Sequence, residues 1–181
     1  MTTKKELFTK IILTTLIAGT VIASVAIAPG LGPVLRLFDN KNNKRRLGFS
    51  RAIKNLEEKR MVKIFNKDGN LIIKITDKGK GRVLKYKFDE MKIYNPKKWD
   101  GLWRIVMFDI PTKDNKKRDI LRLKLKEMGF EMTQRSVFVY PYPAKNEIDF
   151  LGEYLGIRKH ITCILAKEME GSRNYKKLFK L

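Results

Sequence analysis

The sequence predicts an α+β protein: an N-terminal winged helix-turn-helix followed by a ferredoxin-like βαββαβ domain. Three observations predict it. Two strand-like runs, Met61 to Phe65 and Leu71 to Thr76, flank Asp68-Gly69, a residue pair favoured in type I′ hairpin turns. Beyond Trp99, strand-like and helical stretches alternate in the order βαββαβ. Finally, the positive charge is gathered into one part of the chain.

The 181 residues include 40 Lys plus Arg against 19 Asp plus Glu, a net charge of +21. Residues 1–35 carry net +2, residues 36–98 net +13 from 20 basic and 7 acidic groups, and residues 99–181 net +6. Such an excess attracts polyanions, and a uniform solubility charge would not concentrate in the middle. The apolar fraction, 43%, supports a packed core and argues against wholesale disorder. Cys163 is the only cysteine, which excludes an intrachain disulfide and a thiolate zinc site. It lies in the apolar run Ile161 to Ala166 and reads as a buried, inert thiol. Nothing around His160, the only histidine, suggests a Ser–His or Cys–His arrangement. The cytoplasm is the expected location.

The N-terminus admits two readings. No charged residue occurs from Ile11 to Leu35, and Lys4, Lys5 and Lys10 precede the run. Its length suits a membrane anchor through residues 11–28, or a signal segment. Against this, Thr14, Thr15, Thr20 and Ser24 dilute it, and Pro29, Gly30, Gly32 and Pro33 end any helix near Ala28. The other reading is a core or dimer-interface helix.

A short helix is expected at Val34 to Phe38, then a polar loop at Asp39 to Asn43. Ser50 is an N-cap candidate for a helix running to about Arg60. Ala52, Ile53 and Leu56 share one face of it, and Arg51, Lys54, Asn55 and Lys59 lie mostly on the other. The hairpin follows, with Lys63, Lys67 and Lys74 along it, and then a helix from Asp77 to Lys87, weakened by Gly79 and Gly81. In a winged helix-turn-helix the second helix of the pair enters the major groove and the wing tracks backbone. The candidate nucleic-acid-binding residues are therefore Arg45, Arg46, Arg51, Lys54, Asn55, Lys59, Lys67 and Lys74.

Residues 88–98 read as a linker, since Asn95-Pro96 disfavours helix. The second module reads as a strand at Trp103 to Ile110, a helix at Lys113 to Met128 ended by Gly129, strands at Phe130 to Thr133 and Ser136 to Tyr140, a helix at Asn146 to Leu155, and a strand at Ile161 to Ala166. The expected division is 1–87, linker 88–98, 99–169, and a basic tail 170–181 whose Tyr175, Leu178 and Phe179 are placed to dock on a partner.

The series Trp99-Asp-Gly-Leu-Trp-Arg-Ile-Val-Met-Phe-Asp-Ile-Pro111, Arg118, Gly129-Phe130 and Gln134-Arg-Ser-Val-Phe-Val-Tyr-Pro141 resembles the central domain of the PaaX-type transcriptional repressors. That domain is in turn similar to the small CRISPR-associated protein Cas-two, a ferredoxin-like dimer. The resemblance covers about Arg45 to Ala166. It implies a DNA-binding transcriptional regulator, a repressor that binds double-stranded DNA as a homodimer and requires no cofactor. It also favours a packed N-terminal helix over a membrane span. The alternative it implies is a metal-dependent endonuclease, in which Asp109 of two subunits shares Mg²⁺. A hard cation on carboxylate oxygens activates water for phosphodiester attack. The repressors carry a further C-terminal region without counterpart in this sequence, so no ligand response of their kind is carried over.

Overall fold

The computed structural model describes residues 4–17, 21–22, 43–67, 70–96 and 98–181, with side chains for 6–17, 51–65, 72–96 and 98–181. The chain divides into two compact units, Met1–Asp89 and Glu90–Leu181. Both mix helices with an antiparallel sheet, so the protein is α+β.

The first unit runs α1 (Lys4–Ile17), β1 (Val21–Ile22), α2 (Asn43–Glu58), β2 (Val62–Lys67), β3 (Asn70–Ile75) and α3 (Asp77–Asp89). Its sheet has the order β1-β3-β2. The apolar N-terminal run is a core element: Ile12, Leu13 and Leu16 pack with Ala52, Leu56, Val62 and Ile73. The helix expected to reach Ala28 is described as far as Ile17, and the β-branched pair Val21-Ile22 lies not in a helix but against Ile73 and Ile72. Fourteen residues of helix span about 21 Å, short of the ~30 Å hydrocarbon layer. Among the described residues no helix is long and apolar enough to cross a membrane. The short helix expected at 34–38 lies outside the described residues.

The α2 helix starts seven residues before Ser50, which is inside it rather than its cap. No proline interrupts Asn43 to Ser50, and Gly48 costs the helix only about 1 kcal/mol, so the stretch tolerates propagation from Asn43. At its other end Arg60 adopts a left-handed conformation, φ 57°. Arg60 N–H then donates to Glu57 O (2.7 Å) and Met61 N–H to Leu56 O (2.8 Å), which is the Schellman pattern of helix termination.

The second unit runs β4 (Trp103–Phe108), a 3-10 turn (Thr112–Asp114), α4 (Asn115–Glu127), β5 (Glu131–Gln134), β6 (Val137–Tyr140), α5 (Lys145–Leu155), a 3-10 turn (Arg158–His160), β7 (Ile161–Ala166) and α6 (Ser172–Phe179). The sheet order is β5-β6-β4-β7. Val106, Phe138, Leu121, Leu125, Ile148 and Leu151 are fully buried. Gly129 (φ 91°) and Gly156 (φ 66°) close α4 and α5 in the left-handed conformation that glycine adopts without a Cβ penalty. The tail is helical and folds back on its own chain: the Tyr175 and Phe179 rings lie 6.2 Å from Trp103. Cys163 corrects the sequence reading, because it is exposed. It sits on β7, an edge strand whose middle residues escape the core.

Candidate nucleic-acid interface

The burial along α2 follows its 3.6-residue period. Ala52 and Leu56 are buried in the core, which turns Arg51 and Lys54 out to solvent and leaves Asn55 half-buried. Glu57 and Glu58 follow, so the basic face ends before the last turn. Lys59 is exposed but lies in the terminating turn rather than on the helix, because the chain leaves α2 at Glu58. Arg45 and Arg46 fall in the first turn of α2; their side chains lie outside the described residues.

In the hairpin, Lys67 is opposite Asn70, so two residues, Asp68 and Gly69, separate the paired strands. This register sets Lys63 directly opposite Lys74, and both are exposed. Like charges directly opposite on a sheet are mutually destabilising. No acidic group among the described residues bridges to either one. The sequence reading omitted Lys63 from its candidate residues. The signal was present, since a two-residue loop at Asp68-Gly69 fixes the register and so pairs Lys63 with Lys74. The side chain of Lys67 lies outside the described residues.

Asp109 belongs to the other unit, at the end of β4. It is exposed, and its backbone N–H donates to His160 O at 3.1 Å. The nearby carboxylates are committed elsewhere: Asp114 pairs with Lys117 (2.9 Å) and Asp119 with Arg122 (3.1 Å). Lys117's hydrogen bond holds the Asp114 carboxyl below the usual range, against a smaller opposing effect of desolvation. No group of three His, Cys, Asp or Glu side chains among the described residues is placed to hold a metal. Mg²⁺ is usually held by one or two carboxylates with waters completing its shell, so in a metal site shared between two subunits Asp109 would be the carboxylate that each one supplies.

The motif around Trp99 has a structural role. Arg104 pairs with Asp100 and also donates to Leu102 O and Pro141 O, each at 2.7 Å. Asp100 accepts Leu102 N–H (3.0 Å), Trp99 Nε1 donates to Leu102 O (3.0 Å), and Gly101 turns the chain at φ 78°. Trp103 is fully buried with its ring 4.8 Å from Trp99. These residues fasten the entry of β4 to the end of β6.

Among curated proteins none matches the chain. Residues 96–178 match the family model described as the PaaX protein central Cas2-like domain, so the second unit carries the domain that marks the PaaX-type family.

Proposed function

We propose that the chain is a DNA-binding transcriptional regulator, a cytoplasmic repressor acting as a homodimer on double-stranded DNA. In this reading the first unit is a winged helix-turn-helix with α2 as recognition helix and β2–β3 as wing. The second is a ferredoxin-like dimerisation domain. The observation that carries the reading is the outward basic face of α2, Arg51 and Lys54, backed by the buried Ala52 and Leu56. The opposed Lys63 and Lys74 add to it, because a phosphate near the wing relieves their repulsion. The match of residues 96–178 to the PaaX central domain supports a PaaX-like regulator.

In this reading the dimer forms through β7. This edge strand, Ile161–Ala166, contains no charged residue and pairs with β4 in unbroken register. The opposite edge, β5, is shorter, irregular and carries Glu131, devices that block edge pairing. Two copies of a chain at +21 repel, so their contact favours a surface without charge. An antiparallel β7–β7 pairing about a twofold axis is self-complementary and closes.

The DNA reading is tested with Arg51→Ala/Lys54→Ala. The slope of log affinity against log salt should become shallower by about 0.9 for each phosphate that the variant no longer neutralises. An unchanged slope with unchanged affinity would place the interface elsewhere.

A further inference from the structure

The α6 helix presents a second basic surface, in the unit that the charge distribution marked as the less basic of the two large segments. Arg173, Lys176 and Lys177 stand at i, i+3 and i+4, and Lys180 follows at i+7 in the cap. This spacing places Arg173, Lys176 and Lys177 along one side of the helix, with Lys180 in the left-handed cap just beyond it. All four are exposed, and no acidic residue occurs from Gly171 to Leu181. Among the described residues none of them forms an ion pair. The other side of α6 is fixed, with Tyr175 and Phe179 against Trp103 and Phe179 also 5.9 Å from Tyr140. Lys176 Nζ lies 5.3 Å from the Trp99 ring centre, which holds that side chain over the same aromatic cluster. The basic side is therefore held in place by the packing of the apolar side.

Helix stability accounts for only part of this pattern. Cations near a helix C-terminus interact favourably with its dipole, which suits Lys176 and Lys177. Arg173 is in the first turn, where a cation opposes the dipole. A solvated surface gains nothing from that placement, whereas a ridge that meets a row of negative charges does.

We propose that the basic side of α6 is a second nucleic-acid contact, binding backbone phosphates of duplex DNA. This rests on the DNA-binding reading for the identity of the polyanion, while its residues are separate from the α2 face. Duplex DNA carries a regular charge row that Lys and Arg neutralise without burial of apolar surface. A membrane-lying helix instead needs a free apolar face, and here Tyr175 and Phe179 are already packed on Trp103.

The test uses the full chain and the variant Arg173→Gln/Lys177→Gln/Lys180→Gln. Lys176 is kept because it lies over Trp99. Near-UV circular dichroism of the Trp99–Trp103 cluster reports that α6 remains docked, and Lys177→Gln alone serves if the triple variant loses that signal. Binding to a long duplex of arbitrary sequence is titrated against salt. The expected result is a slope shallower by about two to three units for the triple variant and by about one for the single. A wild-type slope in the triple variant, while Arg51→Ala/Lys54→Ala becomes shallower, overturns the α6 contact and leaves the DNA reading standing. Absence of duplex binding by the wild-type chain overturns both. Loss of binding to phosphatidylglycerol vesicles with an unchanged duplex slope also overturns the proposal, in favour of a lipid surface.

Discussion

Arg104 shows how one side chain organises a motif that sequence alone only flags. Its guanidinium joins Asp100, Leu102 O and Pro141 O, so it links the turn before β4 to the residue after β6. The hydrogen bond from Arg104 holds the Asp100 carboxyl below its ordinary value; the Leu102 amide and the Arg104 charge act in the same direction, and desolvation opposes them. A carboxyl depressed in the folded state stabilises the fold above its unfolded pKa, about 3.9, and loses that contribution as pH falls through the folded value. Asp100→Asn should therefore lower stability at pH 7 by about 1 kcal/mol, a modest figure because Asp100 is half-exposed and solvent screens the pair. In thermal melts at stepped pH, the gap between wild type and variant should close below about pH 4. A gap independent of pH would assign the effect to poorer packing rather than to the carboxylate.

At the scale of elements, the two glycines of α3 separate by their surroundings. Both read as weak points of a helix in the sequence. A Cβ on Gly79 would lie 2.2 Å from Met61 O and 2.7 Å from Ile75, so glycine is what lets α3 approach the hairpin. Around Gly81 there is nothing within 4 Å. Gly79→Ala should destabilise the first unit by about 1–3 kcal/mol through overpacking. Gly81→Ala should stabilise it by up to about 1 kcal/mol through helix propensity. Denaturant unfolding of the two variants distinguishes them, and equal shifts of the same sign would remove the close approach as the explanation. Thr76 supports the same junction, as its hydroxyl donates to Arg60 O (2.7 Å) and accepts from Gly79 N–H (3.2 Å).

For the whole molecule, the proposed dimer turns on the two sheet edges of the second unit. Leu165 on β7 is 66% exposed, so replacing it by lysine leaves the core intact and adds a charge to the uncharged strand. Leu165→Lys should convert the dimer to monomer in light scattering coupled to gel filtration, with the melting temperature nearly unchanged. The matching change on the other edge, Met132→Lys, should leave the dimer intact. A dimeric Leu165→Lys protein would move the interface off β7 without removing the dimer itself. A monomeric wild type would remove both.

The sequence by itself determined the order of elements in the second unit, because Pro111, Gly129, Pro141 and Pro143 mark its breaks and its helices are long enough to show their period. It also determined the hairpin and its register, since a two-residue Asp-Gly loop leaves one pairing. It did not determine where α1 ends or where α2 begins. Val21 and Ile22 are apolar in either a helix or a strand, and only their pairing with β3 selects the strand. Ser50 reads as a helix start by residue type, and only the continuous helix from Asn43 places it inside the helix. Cys163 read as buried from its apolar run, and the edge position of β7 exposes it. The tail read as a surface for a partner until Trp103 proved to be what Tyr175 and Phe179 cover. Local pattern fixes which side of an element is apolar. What that side meets, the chain's own core, a second copy or solvent, is decided by contacts between residues far apart in sequence.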